Sequence, residues 1–258
     1  MTDAVHDHLI RDQFTRQATP FNTARPIADA DALKLIIDVA QPRATDTLLD
    51  VACGGGIVVC AFAPYLHHAT GIDMTPAMLD RARALAAEKG IGNVTWREGN
   101  VAALPFADSC FDIVVTRFAV HHFPDPAAVM REMVRVSAPG GRIVIVDTCA
   151  SADPEKAAAF NRLERLRDPS HMRALSLAEL QGLFRGAGLP EPEIRHSALR
   201  DTVANLLARS FPNPGDETRI TAMFAAAVAD DSLGIPVTQD GGQLGYAYPV
   251  AILASSRP

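Results

Sequence analysis

The chain has 258 residues, 48% of them hydrophobic and 21% charged, and 24 Lys and Arg against 30 Asp and Glu leave a formal net charge of −6. This is the composition of a folded globular protein long enough to bury a full core, and the acidic balance speaks against the basic stripe of a nucleic-acid surface. The longest apolar runs, such as IVVCAFA, fall far short of the ~20 residues that cross a bilayer, so membrane insertion is not expected.

Charges begin at the third residue of MTDAVHDHLIRDQF, which does not read as a signal peptide. The four cysteines, Cys53, Cys60, Cys110 and Cys149, form no C-x-x-C pair and read as free thiols of a reducing compartment. A cytoplasmic protein is expected.

In chain order, the segment FTRQATPFNTA comes first, followed by a helical stripe of Leu33, Ile36, Ile37 and Ala40. Strand signals then recur at TLLDVA (47–52), ATGIDM (69–74), NVTWREG (93–99), FDIVVTR (111–117) and GRIVIVDT (141–148). The first, fourth and fifth are nearly continuous apolar runs, as in parallel strands buried on both faces. Helices fill the intervals. Thr75 and Pro76 read as N-cap and first helical residue of one that Gly90 stops, and Pro126 opens another that ends at PGG, 139–141. Such alternation predicts an open, doubly wound α/β sheet.

Beyond Thr148 the pattern loosens into helical stretches at DPEKAAAFNRLERLRD, SLAELQGLFRGAGL, 201–210 and 216–230. TQDGGQL reads as a turn and YAYPVAILASS as a final strand. The expected organisation is N-terminal helices and an α/β core over 1–150, which the resemblance given below makes a gate and a cofactor-binding core, and a helical lid with one core helix and strand over 151–235. Residues 236–258 then return to the sheet. A lid after the fifth strand would lie over the carboxyl edge, where open α/β sheets bind ligands.

The stretch LLDVACGGGIVVCAF has the grammar of strand, glycine turn and helix, and it raises the choice of nucleotide. A dinucleotide site expects G-x-G-x-x-G; Gly54 and Gly56 supply two glycines, but Val59 stands at the third position. LLDVACGGG, GIDMTPAMLDRAR, GNVAALPFADSCFDIVVTRFAVHHFPDP and REMVRVSAPGGRIVIVD, within about residues 45–150, together resemble the class I S-adenosylmethionine (SAM) dependent methyltransferases. Within that superfamily the likeness is to the ubiquinone/menaquinone-biosynthesis-like small-molecule enzymes.

The resemblance implies a Rossmann-like, mostly parallel seven-stranded sheet, SAM as methyl donor, S-adenosylhomocysteine (SAH) as product, no metal, and a small-molecule acceptor. Glycines without a Cβ permit close backbone approach to the methionyl part at Gly54 and Gly56. Asp50 is expected to accept from the turn's N–H groups or from the ligand ammonium, and Asp73 to take both ribose hydroxyls. Met74 would pack on the adenine. Asn100, where the family usually has aspartate, and Val101 would bind its edge; an Asx-turn is the competing role for Asn100. Ala52, Cys53, Thr116 and Phe21 complete the implied cofactor set.

On the acceptor side, His122 matches a histidine that some phosphobase methyltransferases pair with an N-terminal tyrosine; the best match for that tyrosine is Phe21, so the pairing is lost. His122 is therefore weighed between general base and structural histidine, and His121 is assigned to helix packing. Arg117 is weighed between binding an anionic or oxygen-rich acceptor and pairing with a lid carboxylate; Phe118 is a candidate substrate contact, and so are His171 and Arg173, whose competing role is to cap and bridge the following helix. Tyr246 and Tyr248 share one strand face and read as packing. His6 with His8, and His67 with His68, read as surface pairs. Phe14, Gln17 and Phe21 are the gate candidates, a gate serving to exclude water from the reacting centre. A non-catalytic SAM-binding protein and an NAD(P)-dependent oxidoreductase are the competing functions. Acceptor identity and oligomeric state are not legible.

Overall fold

The computed structural model describes residues 3–23 and 25–258, with side chains at 4–18 and 25–258. Helices α1 (Asp3–Thr23) and α2 (Ala30–Ala40) precede β1 (Thr47–Val51). There follow α3 (Ile57–Phe62), β2 (His68–Asp73), α4 (Pro76–Glu88), β3 (Val94–Glu98), β4 (Phe111–Arg117), α5 (Pro126–Val136) and β5 (Ser137–Thr148). The remainder is α6 (Pro154–Arg167), α7 (Leu177–Gly186), β6 (Glu193–Thr202), α8 (Val203–Ala208), α9 (Asp216–Asp230), β7 (Val237–Asp240) and β8 (Gln243–Ser256).

The sheet runs β3-β2-β1-β4-β5-β8-β6, with β7 paired to β8 beside this path. β1 to β5 are parallel, and β8 lies antiparallel between β5 and β6. Side chains alternate across a strand, and both faces are covered. Leu48, Ile113, Val144 and Ile252 join a core with α2, α3, α6, α8 and α9. Leu49, Val114, Ile143 and Leu253 join another with α5 and α7. Burial on both faces explains the uninterrupted apolar strands.

Two boundaries differ from the sequence reading. The helix from Pro126 stops at Val136, and Ser137 already pairs with Phe111, so PGG belongs to β5 and not to a helix end. The segment read as a turn before the last strand is a hairpin: β7 pairs with β8 around Gly241 and Gly242, both at positive φ. Two glycines admit a left-handed two-residue turn, which lets the flanking polar residues pair.

Strand order reverses between β1 and β4, so their following segments leave in opposite directions and open a crevice at the carboxyl edge. That edge carries Asp50, Asp73, Arg117 and Asp147.

Candidate active site

A cavity of about 230 Å³ occupies the crevice. Its floor is the turn after β1, where Ala52 and Gly54 have positive φ (60° and 50°) and, with Cys53 and Gly55, line the cavity. A Cβ on Gly54 would meet only the Met78 sulfur at 4.0 Å, so the space before it is open. Gly56 corrects the sequence reading. It does not line the cavity; a Cβ there would lie 2.6 Å from the Trp96 ring and 2.8 Å from the Ala82 methyl. Gly56 lets α3 approach α4 and β3.

Asp73 holds the turn. Its Oδ2 accepts the Gly54 N–H at 2.9 Å and its Oδ1 the Thr75 N–H at 2.8 Å. Burial raises its pKa, partly offset by those donors. Gly54 N–H therefore goes to Asp73 and not to Asp50, as the sequence reading had allowed. Among the described residues, Asp50 Oδ2 is buried with no hydrogen-bond partner, and so is Arg117 Nε. Both residues line the cavity. Burial pushes Asp50 well above the usual carboxylate range, against the opposing charge of Arg117, and lowers Arg117 to about 10.

Met74, Asn100 and Val101 also line the cavity. Asn100 Oδ1 accepts the Ala102 N–H at 2.9 Å, the competing Asx-turn, with one lone pair left over. Thr116 is displaced from its expected role: its hydroxyl is fully buried, donates to the Val51 carbonyl at 2.8 Å and does not reach the cavity. The side chain of Phe21 lies outside the described residues.

A second cavity of about 70 Å³ adjoins the first, and Phe14, Ile27, Phe118 and His122 line both. Phe118 has φ 54°, a costly conformation for an aromatic residue that places it at this junction. The Arg117 guanidinium lies 4.6 Å from its ring centre. Arg117 itself lines the first cavity and not the second.

His122 Nδ1 donates to the Ser170 carbonyl at 3.0 Å, and its ring meets Phe14 edge-on with centres 5.0 Å apart. Burial, with the neighbouring His121 charge, lowers its pKa to about 4. His171 and Arg173 do not reach either cavity. His171 is buried behind His121, pairs with Asn161 Oδ1 at 2.8 Å, and is held well below its ordinary pKa by burial. Arg173 is exposed on an ion pair with Glu179.

Several contributors were read differently from sequence. His6, expected at the surface, is 2% exposed, lines the first cavity, and donates through Nε2 to the His122 carbonyl at 2.7 Å. Tyr246 and Tyr248 do share a face, but that face lines the second cavity with Glu164, Arg167 and Arg209. His121 lines it too, bound to Asp147 at 2.6 Å. An acid ending the apolar strand IVIVD was the available signal for Asp147.

A profile described as "Methyltransferase domain" matches residues 49–145. The uncharacterized methyltransferase YcgJ of Bacillus subtilis is 33% identical over 242 residues, which are 93% of this chain and 96% of that protein. Its crystal structure superposes with a TM-score of 0.80 over 88% of this chain and 98% of the other. A putative methyltransferase of Bacillus halodurans, 26% identical, reaches a TM-score of 0.82 over 89% and 100% of the two chains. The ubiquinone/menaquinone biosynthesis C-methyltransferase of Zymomonas mobilis is 29% identical over 62% of this chain and 66% of its own length. The chain belongs to the class I SAM-dependent methyltransferase family.

Proposed function

We propose that the protein transfers a methyl group from SAM to a small molecule, with the donor in the first cavity and the acceptor in the second. The observation that carries this reading is the pair of unpartnered buried atoms, Asp50 Oδ2 and Arg117 Nε, in the first cavity. A buried polar group without a partner costs roughly 1–3 kcal/mol, more when charged. An amino-acid end, with its ammonium and carboxylate, answers both charges at once. A dinucleotide does not: Asp50 would face a pyrophosphate, and Val59, at the third glycine position, is fully buried in the core.

Asp73 keeps a second lone pair on each oxygen for ribose hydroxyls while it holds the turn. Met74 and Val101 offer apolar contact to the adenine, and Asn100 its remaining acceptor. His6, Ile10 and Phe14 from α1 line the same cavity and exclude water from it. SAM, when bound, supplies a methyl carbon on a positively charged sulfur that leaves as a neutral thioether. The chain's part is to align the acceptor at the junction lined by Phe118 and His122, and such positioning supplies up to roughly 7–11 kcal/mol.

Incubation with deuteromethyl-SAM and a small-molecule extract, read by mass spectrometry, tests this. A metabolite heavier by the labelled methyl group is expected. SAH binding with no labelled metabolite in any extract would favour a non-catalytic SAM-binding protein.

A further inference from the structure

The second cavity is rich in charge, and its charged groups are engaged by protein partners. Arg167 donates to Glu164 Oε2 at 2.7 Å and to Oε1 at 3.2 Å, and Tyr248 donates to Oε1 at 2.7 Å. Arg209 is paired with Asp201 and donates to the Tyr246 hydroxyl at 3.0 Å. Asp168 accepts from Ser170 at 2.6 Å and from Gln17 at 3.1 Å. Phe14, Ile27, Phe118, Leu199 and Leu206 supply apolar surface. An ionic ligand would have to displace these internal partners, at a large desolvation cost.

Among the histidines of this lining, His121 is the one oriented by a carboxylate. His121 Nδ1 donates to Asp147 Oδ1 at 2.6 Å, and the His121 backbone N–H donates to Asp147 Oδ2 at 3.2 Å. Asp147 thereby fixes the ring's orientation and puts the proton of the neutral ring on Nδ1. Nε2 is left as an acceptor, and no hydrogen bond among the described residues engages it. His122 also donates through Nδ1, but to the neutral Ser170 carbonyl and not to a carboxylate, and His171 uses Nε2 on Asn161.

We propose that the second cavity takes an uncharged, hydroxyl-bearing small molecule, and that His121, oriented by Asp147, accepts the hydroxyl proton as that oxygen is methylated. This rests on the reading of the first cavity as the donor site. The acceptor oxygen forms the new bond to the methyl carbon, the sulfur keeps the electron pair of the broken S–C bond, and the hydroxyl proton moves to Nε2 of His121. It leaves from there to solvent after product release. An amine acceptor would arrive as a cation and would have to displace protein donors from Glu164 or Asp168.

The groups around His121 are Asp147 from β5, Glu164 and Arg167 from α6, and the rings of His122 and His171. Burial works against its charged form, but Asp147 outweighs burial and holds His121 above its ordinary pKa, whereas His122 is held below. His121 is the stronger base of the two.

The test is a long-range proton–nitrogen NMR spectrum of the SAH-loaded protein, with His121 assigned from His121→Gln. Should that variant not fold, His122→Gln and His171→Gln assign the cluster by elimination. Phenol, benzoate and phenyltrimethylammonium are the probes. Phenol is expected to shift the His121 Nε2 resonance while the two ions leave it in place. In Asp147→Asn the His121 titration midpoint should fall by about one to three pH units. A shift by either ion equal to that by phenol overturns the ligand class. No response to phenol up to its solubility limit, in protein that binds SAH, overturns the acceptor site. An unmoved midpoint in Asp147→Asn overturns the orienting role. Failure of the wild type to bind SAH would instead strike at the donor reading.

Discussion

Asp73 at the end of β2 accepts the backbone N–H of Gly54 at 2.9 Å, so the second strand holds the glycine turn that follows the first. The same carboxylate accepts from Thr75 at the start of α4. Asp73→Ala removes the anchor of the turn and a proposed ligand contact together. Hydrogen bonds to a charged group are worth roughly 1.5–3 kcal/mol. SAH affinity should therefore fall about 10- to 100-fold by calorimetric titration, and Asp73→Asn should recover part of it.

Gly54 and Gly56 are two residues apart and respond differently to a methyl group. Gly56→Ala forces a Cβ to 2.6 Å from Trp96 at φ 78°, combining overpacking with left-handed strain. That should cost about 2–5 kcal/mol and lower Tm by roughly ten degrees. Gly54→Ala has room in the protein and carries only the strain, about 1–2 kcal/mol. Its new methyl group narrows the cavity, so the main loss should be in SAH affinity. Thermal melts with and without SAH separate the two variants.

The histidine cluster gives stability a signed dependence on pH. His122 is lowered from 6.5 to about 4, so the unfolded chain binds its proton more readily. Its contribution is full above pH 6.5 and is lost as pH falls toward 4, by up to roughly 3 kcal/mol. His171 acts in the same direction. His121 acts oppositely: its pKa is raised, so its contribution is full below 6.5 and is lost as pH rises through the folded value. Urea unfolding from pH 4 to 9 should show His122→Gln flattening the acid side and Asp147→Asn the alkaline side.

Helix α1 is fastened to three loops: His6 to the His122 carbonyl at 2.7 Å, Gln17 to Asp168 at 3.1 Å and Gln13 to the Phe211 carbonyl at 3.4 Å. With Phe14 lining both cavities, this helix covers the junction. SAH should slow tryptic cleavage at the exposed Arg11 and Arg16. His6→Ala and Gln17→Ala should speed it several-fold and weaken SAH binding.

The proposed donor side is legible because it is built at strand ends. Asp50, Gly54, Asp73 and Met74 follow apolar runs that declare their own boundaries, and their spacing fixes which edge they reach. Phe14 and Gln17 were also in view as gate residues. The proposed acceptor side depends on pairs that no local pattern records. Tyr248 meets Glu164 across 84 positions and His6 meets the His122 carbonyl across 116. Periodicity put Tyr246 and Tyr248 on one face without saying what that face meets. His121 and His122 are adjacent in sequence, and only β5, carrying Asp147, sets them apart. Gly56 shows the converse: its place in the motif was plain, but its reason is the Trp96 ring and not the ligand.

The most direct measurement is calorimetric titration of the purified protein with SAH, alongside NAD and NADP. One SAH bound per chain, reduced tenfold or more by Asp73→Ala, and no heat from either dinucleotide is the expected result. Binding of a dinucleotide with none of SAH would contradict the assignment of the first cavity, and with it the proposed methyl transfer.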